Sequence, residues 1–82
     1  MRNEKIIEEI VELCFYFGIF EKSDDKKQIK KDIEGLELLK DVAFIERLYN
    51  IIFIKAKEHN ALQNDRVKNL LIELEKIRLE LE

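Results

Sequence analysis

Cys14 and His59 are the only thiol and the only imidazole in this sequence, and each is alone of its kind. Nucleophilic catalysis would need the thiolate beside a base. Cys14 instead falls on an apolar helical arc beside Ile10 and Phe17, the setting of a buried structural thiol. His59 falls at the expected end of a helix, where a cation meets the negative pole of the dipole. A zinc site wants several Cys or His ligands at set spacing, and one of each is too few. Carboxylates are plentiful, but Glu8, Glu9 and Glu12, like Glu73, Glu75 and Glu80, fall on solvent faces. Acid–base work needs a carboxylate in an apolar pocket. Asp41 and Glu46 flank an apolar segment, with no base to pair with. Two isolated glycines, Gly18 and Gly35, cannot cradle a phosphate. No catalytic, cofactor or metal motif emerges, and a protein without enzymatic activity or a small-molecule substrate is expected.

Two patterns remain that could act through contact. Lys22, Lys26, Lys27, Lys30 and Lys31 fall within ten residues, and the last four share one flank of a short helix. Such a flank could grip phosphates or an acidic partner surface. Its ordinary role is the solvated side of a helix whose inner side is Ile29 and Ile33. A helix-turn-helix centred on Gly35 fails, because Lys31 and Asp41 stand where that motif needs small and apolar core residues. A net charge of −3 also leans against a nucleic-acid coat. Binding of DNA or RNA by this cluster stands as the alternative function.

The second pattern is a surplus of apolar helix surface. Val67, Leu70, Leu74, Ile77 and Leu81 form a seam along one face of a C-terminal helix. Ile72 and Leu79, seven residues apart, lie opposite that seam, where a solvated helix should be polar. Phe15, Tyr16 and Ile19 fall outside the core arc of the first helix, and Phe53 and Ile54 lie at the edge of another. A core this small cannot surround everything, and oligomerisation is the usual remedy. These three groups are expected to form a protein interface, with a second copy or an obligate partner.

The elements that must position these residues follow from composition and period. Of the 82 residues, 46% are hydrophobic and 40% charged, Pro is absent, and Ser occurs only at 23. Such a chain has little turn vocabulary, so one helical domain spanning 1–82 is expected. A lone cysteine rules out an intramolecular disulfide. Glu4, Glu8, Glu9 and Glu12 interrupt any signal sequence, and the longest uncharged run, Leu13 to Phe20, is too short to span a membrane. A cytoplasmic protein with no membrane partner is the expectation.

The period predicts an all-α bundle of three long helices, about 3–20, 36–59 and 64–81, plus a short one at about 24–34. Ile6, Ile7, Ile10, Val11, Leu13, Cys14, Phe17 and Phe20 form the core arc of the first, capped by Asn3. Ser23, followed by Asp24 and Asp25, reads as the start of the short helix. The apolar face turns by nearly half a revolution around Gly35, so the chain is broken there, with Gly35 as a left-handed cap. One continuous helix that changes partners is the alternative. Val42 to Ala56 is expected at the centre of the fold, with Ile45, Leu48 and Ile52 buried between the first and last helices. His59-Asn60 should end that helix, and Asn64 should cap the last. Compact acidic helical bundles of this size include immunity proteins, antitoxins and phage or plasmid regulators. The likeness is one of size and composition, and it implies a regulatory or inhibitory protein acting through protein contacts.

Overall fold

The computed structural model describes residues 2–82, and all regular structure among them is helical. Four α-helices follow one another: α1 (Arg2–Tyr16), α2 (Lys26–Gly35), α3 (Val42–Glu58) and α4 (Asp65–Leu81). A 3-10 turn, Leu38–Lys40, joins α2 to α3. The expected all-α bundle is thus observed, and its boundaries move for reasons that lie in single residues.

The first helix ends at Tyr16, four residues short of the expected Phe20. Gly18 takes φ +73°, its N–H bonds to the Phe15 carbonyl, and the Ile19 N–H reaches back to the Cys14 carbonyl. These two bonds form a Schellman cap, in which the left-handed residue is ordinarily glycine because it lacks a Cβ. Asn3 lies inside α1 and so cannot cap it, since a cap needs non-helical backbone. The second helix starts at Lys26, and its cap is Asp25 in place of Ser23. The Asp25 carboxylate accepts from the N–H groups of Lys27 and Gln28 at 3.0 and 3.2 Å. Asp24 is occupied one turn earlier, accepting from the Glu21 N–H at 2.9 Å.

The break near Gly35 is real, but Gly35 does not make it. Gly35 is the last residue of α2, with ordinary helical backbone, and Glu37 takes the left-handed conformation at φ +51°. Residues 36–41, expected in the long helix, form the link. Asp41 closes it by accepting from the Phe44 N–H at 3.2 Å, which starts α3 at Val42. At the other end of α3 the reading holds: His59 is its C-cap and Asn60 is left-handed at φ +55°. The Asn60 and Ala61 N–H groups return to the carbonyls of Lys57 and Ala56, a second Schellman cap. Asn64 then caps α4, accepting from Arg66 and Val67.

The core collects Ile6, Ile7, Ile10, Val11, Leu13, Cys14 and Phe17 from α1 with Ile45, Leu48, Ile52 and Ala56 from α3. From α4 it takes Val67, Leu70, Leu71, Leu74 and Ile77, while α2 contributes only Ile33. No polar side chain is buried among the described residues. Ile45, Leu48 and Ile52 are buried as expected, but α4 takes the central place assigned to α3. It packs antiparallel to α3 through the tight turn and also against α1 and the 3-10 turn. Lys5 and Ile6 face Leu70 and Glu73, whereas Leu13 and Phe17 face Val67 and Ala61, so α1 also runs antiparallel to α4. Contact on both flanks widens the buried arc of α4 to include Leu71, which is not on the seam. Leu81, which is on it, stays exposed.

The two glycines should therefore respond oppositely to alanine. Neither has an atom within 4 Å of where a Cβ would sit, so only backbone conformation distinguishes them. Gly18→Ala must hold a left-handed alanine and should lose about 1 kcal/mol. Gly35→Ala replaces a helical glycine and should gain about 0.5 kcal/mol. Urea unfolding of both variants checks this, and a loss at Gly35 as large as that at Gly18 would contradict the observed caps.

Candidate protein interface

Burial accounts first for the groups with chemical potential. Cys14 is fully buried, and burial pushes its thiol up to about 11. A thiol so held is protonated and inert at neutral pH. His59 is exposed at the end of α3, its ring 5.2 Å from that of Phe17. Among the described residues no group of His, Cys, Asp and Glu side chains is arranged to hold a metal ion. Several carboxylates are tied to cations on neighbouring helices or turns. Glu9 accepts from Arg66 at 2.8 and 3.0 Å, joining α1 to α4. Glu12 meets Lys26 at 3.3 Å, joining α1 to α2. These pairs are largely exposed, where such a bridge is worth about 0–1 kcal/mol.

Within the lysine cluster, one member is held by α1. The Lys26 ammonium lies against Glu12 and 5.0 Å above the Phe15 ring, so it is part of the α1–α2 contact. Lys22 sits in the turn before α2, Lys27 and Lys31 are exposed, and Lys30 is half-buried. Asp24 and Asp25 stand among the five lysines, Asp32 and Glu34 follow them, and Gln28 donates to Asp32 at 2.8 Å.

The three apolar groups also separate. The Gly18 turn folds Phe20 onto Phe15, ring centroids 5.5 Å apart, and draws Phe15 and Ile19 partly into the core. Only Tyr16 of this group remains outside, 73% exposed. Phe15 and Ile19, expected outside the core arc, pack against it because the chain turns back after Tyr16.

Of the other four residues, Phe53, Ile72 and Leu79 lie on flanks of α3 and α4 that share one side of the hairpin, and Ile54 lies on the outer side of α3. Phe53, Ile54, Ile72 and Leu79 are 40%, 55%, 51% and 59% exposed. A groove between α3 and α4 is lined by Glu46, Tyr49 and Asn50 on one wall and Glu75 and Arg78 on the other. That groove shows which flanks of the two helices share a side. On α3 this flank reads Glu46, Asn50, Phe53, Lys57; on α4 it reads Lys68, Ile72, Glu75, Leu79. Both rows repeat at i, i+4, i+7, i+11, the spacing of a single helix face. Ile54 extends the face outward, and the Tyr49 ring stacks near Phe53 at 6.4 Å with 8° between planes. Because α3 and α4 are antiparallel, Lys57 and Lys68 share the turn end of this face. Glu46 and Glu75 share the opposite half.

Glu46 and Glu75 were read in the sequence only as unpaired or solvated carboxylates, and their place beside Phe53 and Ile72, with Lys57 and Lys68, was missed although the spacing was available there. Leu36 and Ile51 are also exposed; Ile51 lies across α3 from Phe53 and one turn from Ile54. No helix among the described residues is long and apolar enough to cross a membrane. No protein family model, curated protein or solved structure matches this chain.

The buried thiol makes stability depend on alkaline pH in a defined direction. An exposed thiol ionises near 9.0, and the folded one only near 11. Below pH 9 both states hold the proton and the linked stability is complete. As pH rises through 11 the unfolded thiolate has already formed and that stability is lost. Stability measured by denaturant unfolding between pH 8 and 11 should decline more steeply for the parent than for Cys14→Ala. Parallel declines would mean that Cys14 is not buried in the folded state.

Proposed function

We propose that this protein is a small regulatory or inhibitory α-helical protein, without catalytic activity, that works in the cytoplasm through protein contacts as a homodimer. The observation that carries this reading is the hairpin face. Phe53, Ile54, Ile72 and Leu79 stay exposed together although the core already holds apolar residues from every helix. Single exposed leucines are ordinary on any surface, but a group aligned along one side of two packed helices marks a contact surface. The absence of a catalytic constellation in the sequence and the likeness in size and composition to immunity proteins, antitoxins and phage or plasmid regulators support the same class.

Nucleic-acid binding through Lys22, Lys26, Lys27, Lys30 and Lys31 is the second reading. It is weakened by the engagement of Lys26 with Glu12 and by the carboxylates that flank the cluster at both ends of α2.

Sedimentation equilibrium tests the first reading. The parent should sediment as a dimer, and Ile72→Glu combined with Leu79→Lys should sediment as a monomer with unchanged helical circular dichroism. Charges forced into an apolar contact are expensive, whereas on a solvated face they cost little. A parent that is monomeric throughout, or a variant whose assembly and stability match the parent, would contradict the proposal.

A further inference from the structure

We infer that two copies of this chain dock through the α3–α4 face with their helix directions reversed, so that the basic end of each face meets the acidic half of the other. This rests on the self-association reading above and adds the occupant's orientation. Lys57 and Lys68 lie at the turn end of the face and Glu46 lies at the other end; all three are exposed, and none makes an ion pair among the described residues. Glu75 adds to the acidic half, where Arg78 partly offsets it.

Eleven residues of helix separate Glu46 from Lys57, about 16 Å. That exceeds the screening length of about 8 Å at physiological salt, so the two ends act as distinct poles. Phe53 and Ile72 lie between them and supply the apolar centre.

A symmetric dimer uses the same face twice, and its two-fold axis lies in the plane of contact. An axis along the helices would lay α3 over α4, setting Lys57 against Lys68 and Glu46 towards Glu75 of the second copy. An axis across the helices reverses their direction and sets each lysine pole against an acidic one, with Phe53 and Ile72 near the axis. Like charges held together across an interface are strongly disfavoured, so the charge pattern selects the second axis. The result is an antiparallel four-helix contact, α3 on α3 and α4 on α4.

The polarity makes the arrangement testable by exchanging charges within one chain. Sedimentation equilibrium of the parent, Lys57→Glu, and Lys57→Glu with Glu46→Lys separates the outcomes. Reversed docking predicts that Lys57→Glu weakens the dimer about tenfold or more, because two like-charged pairs form at once. The double variant restores the parent affinity to within about threefold, because each pair is again opposite in sign. It retains glutamate at the end of α3, so rescue cannot come from that helix end. Added salt should weaken the parent dimer. A parent dimer that is indifferent to Lys57→Glu, or a double variant that fails to recover, would overturn the reversed orientation while leaving self-association standing. A monomeric parent would overturn both.

Discussion

The packing of α4 between α1 and α3 is the constraint from which the rest of the structure follows. A domain of about this size buries only some 60% of the surface its unfolded chain exposes, so one helix must serve two neighbours. α4 does this with Val67, Leu70, Leu71, Leu74 and Ile77, which form a buried arc broader than a simple seam. Each such side chain gains about 1.5–3 kcal/mol from leaving water. The surface ion pairs contribute far less, and two of them, Glu9 with Arg66 and Glu12 with Lys26, join α1 to α4 and α2. Once α4 is enclosed on two sides, its third side and the adjoining flank of α3 have nothing left in the chain to cover them. The exposed face is thus a geometric remainder of the same packing that makes the core.

Helix identity was legible in the sequence because it rests on period. The arc from Ile6 to Phe17, the Val67–Ile77 stripe and the burial of Ile45, Leu48 and Ile52 all follow from apolar spacing. Caps were legible where one residue type dominates the choice, as with Asn64 and the His59-Asn60 terminus. They were not legible where neighbours compete. Ser23, Asp24 and Asp25 could each have capped α2, and the difference lies in which one has extended backbone. The left-handed position was assigned to Gly35 on residue type, yet the chain places Glu37 there and uses Gly18 at the end of α1. A turn's position is fixed by where the next helix must pack, which a one-dimensional pattern does not contain.

The candidate surface was legible in half. Phe53, Ile54, Ile72 and Leu79 could be picked out singly as residues that the period leaves outside the core. That Phe53, Ile72 and Leu79 share a side depends on the pairing of α3 with α4, and so does the recognition of Lys57, Lys68 and Glu46 as its poles. Phe15 and Ile19 show the reverse failure. Their exposure was inferred from a helix continued past Tyr16, and the Gly18 turn withdraws them.

The central claim is that the hairpin face is where this protein makes contact. Isoleucine and leucine methyl resonances, followed as the protein is diluted, test it residue by residue. The account predicts that signals from Ile54, Ile72 and Leu79 shift with concentration. Those of Leu36, exposed on the link between α2 and α3, should hold still. Shifts confined to Leu36, or none at any concentration, would contradict it.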